Sequence, residues 1–280
     1  MIRLDEVTYS YPDASRPVLS KVTLDIAAGT ITGVAGASGA GKTTLAKVIA
    51  GFLPQVDGGD LAGRVEVGGR DVAALSLAEA VAQVGLVIQN PFNQISGARY
   101  TVREEIAFGL ENLGAPRAEM ADRVAEVAAL LRITDLFDRS PYALSGGQMQ
   151  LVAIASMLVL RTPVLVLDEP TSQLDPAGTR LVFDVLNRLQ EAGTTVVIFE
   201  HKLELLQQHA DRLLVLAGGG IAADGPATQV LADPRTAEWG IGATRFTQAG
   251  RLARERGLIA ADVPLPVSFD QAAAVFGGER

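Results

Sequence analysis

Three short stretches of this 280-residue chain join residue types whose chemistry depends on their spacing. The first, Gly36-Ala37-Ser38-Gly39-Ala40-Gly41-Lys42-Thr43 with Thr44 following, fits GxxxxGK[ST]. Glycines let backbone N–H groups converge on phosphate oxygens, a following helix adds its positive end, Lys42 supplies a point charge, and the Thr43 hydroxyl suits Mg²⁺. The chemistry that pattern predicts is the binding of a nucleoside triphosphate with magnesium. The second stretch, Val164-Leu165-Val166-Leu167-Asp168-Glu169-Pro170, ends an apolar run in two adjacent carboxylates. Adjacent acids repel, which argues against a structural role. Asp168 is expected to hold magnesium through its waters, and Glu169 to polarise or orient an attacking water. The third, Leu144-Ser145-Gly146-Gly147-Gln148, sets a Ser and two glycines before a helical run, where a helix N-terminus can hold an anion. Taken alone, it reads more readily as an ordinary helix cap.

The elements around these stretches must bring them together. Residues 30–35 read as a short buried strand and 42–52 as a helix, so the phosphate-type loop joins strand to helix. Residues 164–167, 194–199 and 213–216 are compact Val- and Leu-rich runs, the first two separated by a helix starting at Pro176; that alternation predicts a parallel sheet. A buried strand ending in Asp168-Glu169 would put both acids at the carboxyl edge of that sheet, beside the loop. Residues 2–9 and 18–26 alternate apolar with polar and read as antiparallel strands. A Gly-rich hairpin is expected over 58–70 and a further buried strand over 84–88. Residues 101–113, 118–131 and 147–160 read as helices with few strand signals between them, a helical insertion. After Pro226 come a short helical piece, the lone Trp239 and an extended segment over 263–266.

In this order, the motifs resemble those of an ABC transporter nucleotide-binding subunit over residues 1 to about 232. The resemblance implies an α/β P-loop NTPase with a parallel-sheet core, an N-terminal antiparallel β subdomain and a helical subdomain inserted at about 90–160. Residues 233–280 would be a C-terminal extension that adds to a dimer contact. Residue by residue, Gln89 matches the family's magnesium-sensing glutamine, which links to the helical insertion. Ser172-Gln173-Leu174-Asp175 matches a dimer-contact loop, His201 a switch histidine, and Tyr11 the aromatic that stacks on adenine. ATP and Mg²⁺ are the implied ligands. Gly36, Ser38, Gly39, Gly41, Lys42, Thr43 and Thr44 of one chain and Ser145, Gly146, Gly147, Gln148 and Asp175 of another would enclose one ATP. Glu169, His201 and Gln89 would serve hydrolysis, and Thr43, Gln89 and Asp168 the metal.

Residues 89–95 (Gln-Asn-Pro-Phe-Asn-Gln-Ile) and 101–112 further resemble the energy-coupling-factor subgroup of vitamin and metal importers. That subgroup implies a homodimer or a heterodimer with a paralogous ATPase, a transmembrane coupling subunit and a substrate-capture membrane protein. The alternative is the ATPase subunit of an ordinary ABC importer or exporter. Met149-Gln150-Leu151 departs from the family, which usually carries a basic residue there, and the loop 96–100 is unusual.

Composition narrows the rest. With 24 Lys plus Arg against 32 Asp plus Glu, a net charge of −8, the chain lacks the basic footprint of nucleic-acid binding. That speaks against a DNA-repair ATPase, which would also need a long coiled coil; a P-loop kinase would have no use for Leu144–Gln148 or for Gln89 with His201. No cysteine is present, which excludes disulfides and thiolate metal sites. The acidic start Met1-Ile2-Arg3-Leu4-Asp5-Glu6 is wrong for a signal peptide. The apolar stretch 151–160 is about half the roughly 20 residues of a membrane span. These features favour the cytoplasm, and the family resemblance implies a peripheral place at the cytoplasmic face of the cell membrane.

Overall fold

The computed structural model describes residues 1–277. It begins with an antiparallel unit of β1 (Ile2–Ser10) and β2 (Leu19–Ile26). There follow β3 (Ile31–Gly36), α1 (Lys42–Ile49), β4 (Asp60–Val67), β5 (Arg70–Asp71), α2 (Leu77–Gln83) and β6 (Val84–Val87). Three helices then intervene: α3 (Val102–Asn112), α4 (Arg117–Leu130) and α5 (Gly146–Leu158). The chain returns through β7 (Val164–Asp168), α6 (Pro176–Glu191), β8 (Thr195–Phe199), α7 (Leu203–His209), β9 (Arg212–Ala217) and β10 (Gly220–Gly225). It closes with α8 (Ala227–Ala232), α9 (Arg245–Glu255) and α10 (Phe269–Phe276).

Two sheets result. One is antiparallel, in the order β2-β1-β4-β5, and the other runs β10-β9-β3-β8-β7-β6. In the second sheet β9, β3, β8, β7 and β6 are parallel, and β10 joins β9 antiparallel at the edge. The expected parallel core, antiparallel N-terminal unit and helical insertion are all present.

Burial explains why these runs became central strands. Along β7, Val164 and Val166 face one buried cluster while Leu165 and Leu167 face another; β8 and β9 divide in the same way. With both faces covered, the period-two alternation of a half-exposed strand has no reason to appear in the sequence. The first cluster joins the two sheets through Leu45, Val48 and Ile49 of α1. The second lies against α3, α5 and α6, and includes Trp239 and Val267 from beyond residue 232. β1 does alternate, but Ile2 and Leu4 are followed by Val7 and Tyr9, one residue out of step. A β-bulge absorbs the extra residue: the pairing with β2 shifts between Leu4 and Val7, and Glu6 takes φ 46°.

One expectation needs correction. The helix expected over 42–52 stops at Ile49, where Gly51 turns the chain with φ 70°. Residues 263–266 run without regular secondary structure, and Pro266 accepts a hydrogen bond from the Thr247 hydroxyl at 2.9 Å, strapping the segment across α9. The uncharged Met149-Gln150-Leu151 follows from burial, because Met149 and Gln150 are fully enclosed and Leu151 packs on the core.

Candidate ATP-hydrolysing site

The carboxyl edge of the parallel sheet gathers the chemistry. β3 runs into the phosphate-type loop and α1, β7 into Asp168-Glu169, β8 into Glu200-His201, and β6 into Gln89. An open cleft of about 370 Å³ there is lined by Val18, Ser38, Gly39, Gly41, Lys42, Thr43, Thr44, Gln89, Glu169 and His201.

The loop is shaped for an anion. Gly41 caps α1 with φ 103°, a conformation that residues with a Cβ avoid, and it offers no side-chain cap. The first amides of α1 thus lack the acceptor that Ser76, Thr101, Ser145, Asp175, Thr244 and Ser268 give to their helices. They are free for phosphate oxygens. Lys42 folds back beneath the loop, its Nζ donating to the carbonyls of Gly36 at 2.9 Å and Ala37 at 3.1 Å. Burial pushes this lysine below its ordinary value, and the carboxylates of Glu169 and Asp168 push it back. Tyr11 stands beside the helix, its hydroxyl 3.1 Å from Thr44 Oγ1 and its ring edge-on to Tyr9.

The two acids differ sharply in surroundings. Asp168 is 2 % exposed; its Oδ2 accepts the Thr43 hydroxyl at 2.6 Å, while Oδ1 is buried without a partner. Burial raises the carboxyl above its usual range, Thr43 lowers it, and neighbouring Glu169 raises it again. A buried carboxylate oxygen without a donor is costly unless something compensates it. An orphaned carboxylate oxygen beside a threonine hydroxyl, with the Gln89 amide near, is a hard-oxygen donor set that suits Mg²⁺. Among the described residues no three His, Cys, Asp or Glu side chains cluster to hold a metal by themselves, so phosphate oxygens would complete the shell.

Glu169 turns the chain with φ 48° and keeps its backbone N–H on Phe199 O at 2.9 Å. A left-handed backbone at a non-glycine residue costs roughly 1–2 kcal/mol. Its carboxylate is held from two sides: Gln89 Nε2 donates to Oε2 at 2.9 Å, and His201 Nε2 lies 3.0 Å from Oε1. The arrangement fixes an acid beside a phosphate loop and leaves it open to water.

The cleft lining includes none of Ser145, Gly146, Gly147, Gln148 and Asp175. Ser145 and Gln148 form a capping box on α5, with Ser145 N–H on Gln148 Oε1 at 3.0 Å and Gln148 N–H on Ser145 Oγ at 3.3 Å. Asp175 caps α6 through the Gly178 amide at 2.6 Å. These residues share a separate surface, since a Cβ on Gly147 would stand 3.1 Å from Gln173 O. Sequence reasoning missed Glu200 and Thr171, whose contacts lie beneath His201 and carry no motif.

A family model described as ABC transporter matches residues 19–172, more than half of the chain. The chain belongs to the ABC transporter family. It is an ABC ATPase domain. This cassette is 37% identical to the energy-coupling factor transporter ATP-binding protein of Bacillus subtilis over 92% of its own length and 90% of the relative's. It resembles cbiO1 of Clostridium perfringens, described as part of the ABC transporter complex cbiONQ. That match has a TM-score of 0.73 and 27% identity, covering 91% of the cassette and 94% of that chain. A dimeric post-hydrolysis cassette, MJ0796 bound to ADP and Pi, matches with a TM-score of 0.71 and 27% identity, covering 81% and 99%. Other relatives are longer: two curated Methanosarcina proteins match at 40% and 38% identity, and the cassette spans 39% and 41% of their length.

Proposed function

We propose that the chain is the ATP-hydrolysing subunit of a membrane importer of the energy-coupling-factor type. It would work in a dimer on the cytoplasmic face of the membrane. The observation that carries the catalytic part is the clamp on Glu169. With Gln89 and His201 fixing both carboxylate oxygens, Glu169 is poised to take a proton from a water placed in line with the γ-phosphate. Lys42 and the amides of the loop bind and orient the phosphates, and Tyr11 lies where an adenine ring would stack. Mg²⁺, held by Thr43, Asp168 and Gln89, would neutralise charge on the phosphates. Ser145, Gly146, Gly147, Gln148 and Asp175 lie away from the cleft, which fits a second chain supplying them. Residues 1–232 would form the ATPase domain, and 233–280 would extend the dimer contact.

Near-complete mutual coverage with the Bacillus relative supports the subgroup, as does the likeness to cbiO1. Among the described residues no helix is long and apolar enough to cross a membrane. Next to Gln89 an apolar cleft of about 430 Å³, lined by Phe52, Leu77, Val81, Leu86 and Ile88 among others, would seat a helix of the membrane partner. Substrate capture would fall to a separate membrane protein.

Two measurements test this. Glu169→Gln in the assembled complex is expected to lower ATP hydrolysis by roughly 10²-fold or more; an unchanged rate would refute the assignment. Co-purification in detergent with the products of neighbouring genes is expected to recover a coupling membrane subunit and a small capture protein. Recovery of a two-copy permease with a soluble binding protein would leave the ATPase standing and sink the subgroup.

A further inference from the structure

Beside His201 lies Glu200, 3 % exposed, a carboxylate that takes no part in binding or hydrolysis as described. Its Oε2 accepts the backbone N–H of His201 at 2.7 Å and that of Lys202 at 3.3 Å. Its Oε1 accepts the hydroxyl of Thr171, itself fully buried two residues after Glu169. Thr171 in turn accepts Lys202 Nζ on its hydroxyl at 3.0 Å and on its carbonyl at 3.2 Å. The backbone N–H of Glu200 donates to Val34 O at 3.2 Å, on the strand that leads into the phosphate loop.

A carboxylate at this depth is costly unless donors compensate it, and here all its bonds converge on two short turns. One turn carries His201, the other follows Glu169. With 48 % of its side chain exposed, the His201 ring is not held by packing. Its approach to Glu169 rests on the backbone that carries it, and that backbone is pinned by Glu200.

We propose that Glu200 is a positioning residue: it ties the turn after β8 to the turn after β7 and so fixes His201 Nε2 against Glu169. The inference rests on the reading of Glu169 and His201 as the hydrolytic pair. A residue that acts only by aiming His201 should lower turnover without changing nucleotide affinity, and should lose its effect once His201 is gone.

The test is a double-mutant cycle on the full chain in its assembled complex, using Glu200→Ala, His201→Ala and the pair. Glu200→Ala is expected to lower kcat about 10-fold, the scale of a small misplacement of a reacting group, with KM for ATP within about 2-fold. In the His201→Ala background the same change is expected to cost less than about 2-fold. Glu200→Gln keeps a carbonyl for the two amides and is expected to retain at least about a third of parental kcat. Thr171→Val is expected to lower kcat less than Glu200→Ala does and to lose its effect without His201. These two milder variants decide the matter if Glu200→Ala fails to fold. A cost for Glu200→Ala that persists undiminished without His201, or that appears in KM, overturns the proposal for Glu200 alone. Parental turnover in His201→Ala overturns the reading of the hydrolytic pair, and this inference with it.

Discussion

The Thr43 hydroxyl donates to Asp168 Oδ2 at 2.6 Å across 125 residues of chain, joining the start of α1 to the end of β7. That bond uses one oxygen of Asp168 and leaves the other facing inward without a donor. If the pair serves a cation, Thr43→Val removes a ligand and the hydrogen bond that orients the second. A hydrogen bond to a charged group is worth about 1.5–3 kcal/mol, or roughly 10- to 100-fold in binding. The Mg²⁺ concentration for half-maximal ATP hydrolysis is expected to rise by at least about 10-fold, with nucleotide binding in EDTA nearly unchanged. An unaltered magnesium titration would count against the metal assignment.

The sequence contains no cysteine, so introduced thiols report only on themselves. Ser38 lines the cleft and Ser145 does not. With Glu169→Gln present to arrest hydrolysis, a chain carrying Ser38→Cys and Ser145→Cys is expected to form disulfide-linked dimers under mild oxidation when ATP is added. Where the partner is a paralogue, the two cysteines are split between the chains. A non-reducing gel reads the result, and monomer alone with ATP present would sink the two-chain site.

His209 is the last residue of α7, stacked on Phe183 with ring centroids 4.5 Å apart and Nδ1 3.2 Å from the Asn187 amide. Burial pushes the imidazole below its ordinary value, with Asp184 pulling part of the way back. The unfolded chain therefore binds a proton more readily than the folded one. The stabilisation from the neutral ring is complete above about pH 6.5 and is lost as pH falls through the folded value. Thermal melts between pH 7.5 and 5.5 are expected to show a drop in Tm that is shallower in His209→Gln. Equal slopes would show that the ring is not buried as described.

Gly240, in the segment after α8, lies against Ala37 of the loop between β3 and α1: its φ is 72°, and a Cβ there would stand 2.9 Å from the Cβ of Ala37. Gly240→Ala meets both obstacles. The backbone conformation alone costs about 1–2 kcal/mol, and either the loop or the segment around Gly240 must shift. Lower thermal stability is expected together with weaker binding of a fluorescent ATP analogue. Unchanged affinity would mean that the contact is passive.

The parts of this molecule that could be read beforehand are those where one physical demand dominates. A strand enclosed on both faces must be apolar throughout, so 164–167 and 213–216 announced themselves. A phosphate loop must have its glycines and lysine in a set order. The edge strand β10, Gly-Ile-Ala-Ala-Asp-Gly, is only half-buried and built of small residues, and its place depends on pairing with β9. α2 was signalled by the Ser76–Glu79 capping box, whose carboxylate is drawn down to about 2 chiefly by its bonds to Ser76, with Arg70 adding to them. A capping box before so short a helix, seven residues long, is a weak signal by itself. Glu200 could not be found, because a carboxylate at a strand end is ordinarily solvated and only the tertiary structure turns this one inward.

The sheet order has a consequence for how the protein is made. β3 lies between β8 and β9, yet it is synthesised about 160 residues before the first of them. At 5–20 residues per second, that strand waits roughly 8–30 s on the ribosome with both hydrogen-bonding edges unfilled. The antiparallel unit can close early, since β1, β2, β4 and β5 all lie within the first 71 residues. A ribosome stalled near residue 190 would carry the β-unit, the helices α1 to α5 and a β3 strand still without its two neighbours, a natural client of a chaperone. The emerging chain becomes competent for nucleotide only when its last third arrives.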